Sequence, residues 1–155
     1  MDRVPITPRG YEALKKELSQ LKSVERPRVI KAIEEARAHG DLSENAEFEA
    51  AKDRQAFIEA RISELNYKVG NAEIIDPDTL PRDRAVFASR VLLANVDTGE
   101  EVEYQLVGPD ESDIKEGRIS VASPLGKGII GRRPGDEIVL EAPGGKRTYE
   151  LVEIR

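Results

Sequence analysis

The sequence predicts an α+β protein of two modules. An antiparallel coiled-coil hairpin occupies residues 1–75, a linker residues 76–83, and a small twisted antiparallel sheet with a short helix residues 84–155. Three observations carry this. Apolar residues recur every three or four positions from Leu14 to Val69, the periodicity stops at "IIDPDTLPRD", and short strand-like runs separated by glycine-containing turns follow.

The first helix shows its seam at Leu14, Leu18, Leu21, Ile30 and Ile33. The second shows Phe48, Ala51, Ile58, Ile62, Leu65 and Val69, with Gln55 in the missing slot. The residues between are Glu, Lys, Arg and Gln, suited to a wet helix surface. Thr7 before Pro8 reads as an N-cap with proline at N1, and Gly40 as the residue that stops the first helix. Pro27 lies inside the first pattern and lacks a backbone donor, which predicts a kink or brief break. Helices of about 30 residues, at 1.5 Å per residue, would give an arm of roughly 45 Å.

In the second module, "ASRVLLANVDTGEEVEYQLV" offers two strands around Asp97-Thr98-Gly99, and "DEIVLEAPGGKRTYELVEI" two around Pro143-Gly144-Gly145. "RISVAS" is a fifth strand candidate. "SPLGKGIIG" reads as one short helix, capped by Ser123, opened by Pro124 and stopped by Gly131, with Leu125, Ile129 and Ile130 expected on the sheet. Its glycines lack the spacing of a nucleotide-binding loop.

Composition narrows the chemistry. A hydrophobic share of 39% and a charged share of 35% over 155 residues suit a long solvated helical segment. The absence of cysteine excludes disulfides and thiolate metal sites, zinc fingers included. With His39 as the sole histidine, a nucleophilic dyad has almost no material, and that residue reads as a helix C-terminal group facing the dipole. The net charge of −6 argues against wrapping naked nucleic acid. Residues 1–75 hold 13 Lys+Arg against 14 Asp+Glu, residues 76–155 11 against 16, so the second module is the acidic one. No apolar run is long enough to span a membrane and the N-terminus lacks a signal-peptide core, which predicts a cytoplasmic protein.

The stretch "ARAHGDLSENAEFE" joins the two helices, and Asp41 and Glu44 within it admit two explanations. They fit a capping box at the start of the second helix, in favourable contact with its dipole. They also stand at the far end of a thin arm whose ordering costs entropy that a narrow seam offsets weakly, so the arm's reach is expected to serve a purpose. Two carboxylates alone hold Mg²⁺ poorly, since that ion completes its shell with water and phosphate oxygens. They suit a two-metal phosphoryl-transfer site completed by another molecule.

Three segments, "ITPRGYEALKKEL", "ERPRVIKAIEEARAHGDLSENAEFEAAKDRQ" and "SPLGKGIIGRRPGDEIVLEAPGGKRTYELVEI", resemble the bacterial transcript cleavage factors of the GreA/GreB family. The resemblance covers essentially the whole chain. It implies a coiled-coil hairpin followed by an FKBP-like domain, acting in transcription elongation on bacterial RNA polymerase. In that family the hairpin enters the polymerase secondary channel, where the RNA 3′ end of a backtracked complex is extruded. The acidic tip, here Asp41 and Glu44, then helps to bind a shared Mg²⁺ and orient water, so that the polymerase's own active site cuts the transcript. The resemblance further implies a monomeric, cytoplasmic, DNA-binding protein that is no enzyme by itself. Arg37 and Lys52 match basic positions thought to meet the RNA, although both equally suit a solvated helix face. Ser43 stands where relatives often carry a basic residue and Phe48 where many carry tyrosine.

Three rival functions are open to the same sequence. A channel-blocking inhibitor would carry a denser acidic tip than Asp41 and Glu44. A peptidyl-prolyl isomerase would need an aromatic-lined pocket, for which the second module offers only Phe87, Tyr104 and Tyr149. An interaction tether would keep its function after both tip acids were neutralised.

Overall fold

The computed structural model describes residues 3–40 and 45–155. The chain forms two compact units, the first holding Tyr11–Ala72, the second Pro5–Gly10 with Glu73–Arg155.

The first helical arm runs without a gap as α1 (Pro8–Gln20), a π turn (Leu21–Glu25) and α2 (Arg26–Arg37). The π turn is where Pro27 exerts its effect. Proline cannot donate to the carbonyl a turn behind it, and the chain widens just before it, Arg26 N–H reaching back to Leu21 O. The extra residue shifts the apolar phase. Val29, eight residues after Leu21, enters the seam, followed by Ile33 and Ala36, whereas the sequence-expected Ile30 is turned out and 43% exposed. An unbroken 3.6-residue period cannot anticipate that step.

The returning arm is α3 (Ala46–Gly70), 25 residues that rise roughly 37 Å. Ala51, Ile58, Ile62 and Leu65 are buried, and Phe48, Gln55 and Val69 are half-buried. Leu21, Val29, Ile58, Ile62 and Leu65 form the buried cluster, flanked by Leu14 and Leu18. Arg61 grips Glu17 through Nε and Nη2 at 2.7 and 2.9 Å, and Arg26 grips Glu59 at 2.7 and 2.8 Å. These two-pronged pairs fix the register of a seam one residue wide.

Short strands β1 (Val4–Ile6) and β2 (Ala72–Ile74) pair with each other. The sheet of the second unit comprises β3 (Arg90–Asn95), β4 (Glu101–Val107), β5 (Arg118–Ser120), β6 (Glu137–Ala142) and β7 (Gly145–Ile154), in the order β5-β4-β3-β7-β6. All five strands expected from the sequence are present and the sheet is mainly antiparallel. The exception is β5, which lies parallel to β4. The connection between them holds two 3-10 turns, Pro109–Glu111 and Ile114–Glu116, and so forms a crossover instead of a hairpin.

Leu93, on the central strand, faces Val102 on one side and Leu151 on the other. It belongs to a closed core with Ala85, Val91, Leu106, Ile119, Ile129, Ile138, Leu151 and Ile154. Helix α4 (Pro124–Ile129) covers that core. Ser123 Oγ caps it by accepting Gly126 N–H at 3.1 Å. Its two interior glycines are packing residues: a Cβ on Gly126 would overlap the Ser120 carbonyl, and one on Gly128 would come within 2.8 Å of Ile138 Cγ2. Ile129 is fully buried and Leu125 packs against the core, but Ile130 lies beyond the last turn and is 39% exposed, against expectation.

Thr7 caps α1 as expected, its Oγ1 accepting Gly10 N–H at 3.1 Å. The sequence does not betray its second partner. Glu111, from the first 3-10 turn, accepts Thr7 N–H at 3.2 Å and the Thr7 hydroxyl on its other oxygen. A side chain at Gly10 would strike that carboxylate.

Candidate functional site

The turn of the hairpin is built from both of its rims. Helix α2 closes at Arg37 with Ala38 as its C-cap, whose N–H donates to Glu34 O at 3.2 Å. His39 N–H then donates to Ala36 O at 3.2 Å, and Gly40 N–H to Arg37 O at 3.4 Å. Gly40 has φ +105°, a left-handed conformation that other residues reach only with strain. The sequence therefore places the helix stop correctly to within two residues.

On the other rim the N-cap of α3 is Asn45, not Asp41. Asn45 Oδ1 accepts Phe48 N–H at 3.0 Å, and Glu47 and Glu49 stand in the first turn against the helix dipole. The same side chain reaches across the hairpin, its Nδ2 donating to Ala36 O at 2.8 Å. That carbonyl receives two donors, His39 N–H and Asn45 Nδ2, and so uses both lone pairs. One amide group thus starts α3 and secures the end of α2. Of the two explanations the sequence left open for Asp41 and Glu44, the capping box does not apply to α3, which begins at Ala46 with Asn45 as its N-cap. Asparagine before "AEFE", with two acids in the following turn, was the available signal, and it was hidden by the better-known spacing just upstream.

Asp41 and Glu44 themselves, with Ser43, lie outside the described residues. Arg37 and Lys52 are described. Arg37 is the last residue of α2, exposed and without an ion-pair partner among the described residues. Lys52, in the second turn of α3, is exposed, its Nζ 3.2 Å from Gln55 Oε1. The two cations stand on opposite helices beside the turn. Ala36 and Ala51, both buried, fill the seam there.

The second unit holds an open groove of about 550 Å³ between α4, β5 and the β6–β7 turn. Ile114, Ile119, Pro124, Leu125, Leu140 and Pro143 supply its apolar wall, and no aromatic residue is among those lining it. The three aromatics available for an isomerase pocket are elsewhere. Tyr104 and Tyr149 pack on the core, and Phe87 lines a separate shallow hollow. The groove gives the isomerase reading no support.

A helical hairpin with a stitched turn and a mixed five-stranded sheet together define a two-unit α+β protein. Residues 4–74 match the family described as transcription elongation factor, N-terminal, and residues 80–155 that described as transcription elongation factor, GreA/GreB, C-term. Transcription elongation factor GreA of Neisseria meningitidis serogroup A is 54% identical over 156 residues, spanning all of this chain and 99% of that protein. The GreA of Thermodesulfovibrio yellowstonii is 51% identical over 153 residues, 99% of this chain and 97% of that protein. A solved structure, GreA factor homolog 1 of Thermus thermophilus, is 32% identical over 99% of each chain with a TM-score of 0.45. The chain belongs to the GreA/GreB family of transcription elongation factors. No helix among the described residues is long and apolar enough to cross a membrane.

Proposed function

We propose that this chain is a transcript cleavage factor that works inside bacterial RNA polymerase. The hairpin enters the secondary channel of a backtracked complex and brings Asp41 and Glu44 to the polymerase's catalytic centre. There the two carboxylates help to hold Mg²⁺ and orient the water that attacks the transcript, while Arg37 and Lys52 meet phosphates of the extruded RNA 3′ end. The protein completes its partner's active site and is no enzyme by itself. It acts as a cytoplasmic monomer.

The observation that carries this reading is Asn45. Because that residue caps α3 and ties down Ala36, the start of the helix needs no carboxylate from Asp41 or Glu44. The donor chemistry also fits: two hard oxygen ligands suit Mg²⁺, which leaves the rest of its shell to water and phosphate. When bound, the ion would supply charge neutralisation and a more acidic water.

The test uses a backtracked polymerase complex with end-mapped RNA. Asp41→Asn/Glu44→Gln should bind polymerase like the wild type and lose cleavage by about two orders of magnitude, as removal of directly stabilising groups does elsewhere. Equal cleavage by both proteins would overturn the reading. A wild type that slows both cleavage and elongation would instead be a channel-blocking inhibitor.

A further inference from the structure

The acidic second unit distributes its cations unevenly. Arg90 pairs with Asp78 at 3.5 Å, Arg118 with Asp113 at 3.6 Å, Lys146 with Glu141 at 3.9 Å, and Arg155 with Glu103 and Glu153 at 3.1 and 2.8 Å. Arg82, Arg84, Arg132 and Arg133 are all exposed and have no ion-pair partner among the described residues. The backbone collects these four. Ala85 N–H donates to Arg132 O and Gly131 N–H to Ala85 O, each at 2.8 Å, so the segments carrying both pairs of arginines leave one bridge side by side. Arg132 Nε donates to Gly128 O at 3.1 Å in α4, next to the exposed Lys127.

Three carboxylates share the neighbourhood. Asp83 separates Arg82 from Arg84, Asp136 Oδ2 accepts Arg133 N–H at 2.8 Å, and the exposed Glu137 follows at the start of β6. The five cations outnumber them clearly. Phe87, Val121, Lys127 and Ile130 line a shallow hollow of about 420 Å³ reached from the same edge.

We propose that this edge binds the phosphodiester backbone of a nucleic acid. Cations carried on adjacent segments repel one another, and a small anion answers one or two of them. A polyanion with regularly repeated charge answers all of them and releases its counterions. The guanidinium fork suits phosphate oxygens, and the half-buried Phe87 offers a ring face to a base or sugar beside the backbone. The remaining surface, where acids predominate, repels the same ligand, so the strand is received on one side only. The site is independent of the hairpin tip.

The full chain, titrated against a short labelled single-stranded RNA and a short labelled DNA duplex at about 50 mM salt, tests this by fluorescence anisotropy. Arg84→Gln/Arg132→Gln/Arg133→Gln should weaken binding about tenfold or more and lower the log–log salt slope by about two to three. Arg147→Gln, at an exposed arginine of β7 outside this edge, should leave binding nearly unchanged. Circular dichroism and melting should match the wild type. The probe that responds identifies the ligand as RNA or DNA. Failure of the wild type to bind either probe would overturn the proposal. So would equal losses from the triple variant and Arg147→Gln, or binding that disappears only with Arg37→Gln/Lys52→Gln.

Discussion

The hairpin and the sheet solve the problem of staying folded in opposite ways. In the sheet unit Leu93 is enclosed on both strand edges and under α4, and nine buried residues share one core. In the hairpin the described buried residues, Leu21, Val29, Ile33, Ala36, Ala51, Ile58, Ile62 and Leu65, are strung along one narrow seam, and two-pronged ion pairs on its flanks supply the register. The sheet thus depends on packing from all sides. The hairpin depends on phase, meaning which residue of each turn faces its partner. A thin seam leaves no interior to host a functional group, and the end of the hairpin is held by Asn45.

The largest effect should separate the two regions directly. Leu93 and Leu65 are the same residue type and both are fully buried. Truncation of Leu93 to alanine leaves a hole that a closed core cannot collapse, which should cost about 4–5 kcal/mol. Leu65→Ala should fall near the lower end of the range, about 2–3 kcal/mol, because two helices can close on a narrow seam. Urea unfolding followed by hydrogen exchange of peptides from each unit measures both. Equal losses would break the comparison.

A smaller change should follow Asn45→Ala, about 1–2 kcal/mol, as a lost cap that also leaves Ala36 O with one donor fewer. Hydrogen exchange should show the loss confined to the last turn of α2 and the first of α3, with the sheet unit unmoved. Asn45→Asp, which keeps the acceptor for Phe48 N–H but not the donor to Ala36, should recover the start of α3 alone. A loss spread along the whole hairpin would mean that the seam, not the cap, secures the turn.

Much of this architecture was legible because it rests on local rules. Thr7-Pro8 and Ser123-Pro124 announce helix starts, Gly131 announces a stop with φ +83°, and the turn at Asn95–Gly99 declares a hairpin. The misses have a common cause. Ile30 was placed in the seam for its apolar character although it lies nine residues, half a revolution, beyond Leu21, and the π turn at Leu21–Glu25 brings Val29 to the face where an unbroken period would put Arg28. The parallel pairing of β5 depends on how a crossover returns, which alternation within a strand does not encode. Asn45 was missed because the local pattern scored Asp41 and Glu44 first, and its bond to Ala36 joins residues nine apart across a turn. Glu111 reaches Thr7 over 104 residues, beyond any local rule. At the hairpin turn the helix stop at Gly40 was legible, whereas the amide that starts α3 and ties down Ala36 was not.

The smallest effect concerns acid. The Glu59 carboxyl is held below its ordinary value by its hydrogen bonds to Arg26, and Glu64 by Lys68 and then Arg61. A carboxylate whose affinity for protons is lowered by folding stabilises the fold above its unfolded value, and that contribution is lost as the pH falls through the folded one. The helical signal at 222 nm, to which the six-residue α4 adds little, should therefore melt at lower temperature as the pH drops from neutral through the ordinary carboxylate range. Arg26→Gln should lower the neutral-pH melting temperature slightly and make the acid dependence shallower, because the Glu59 share is already gone. These pairs are exposed, so salt should shrink the difference between the two proteins. If Arg26→Gln instead followed the wild-type acid curve at every pH, the flanking pairs would set register without contributing stability, and the hairpin would be held by its seam alone.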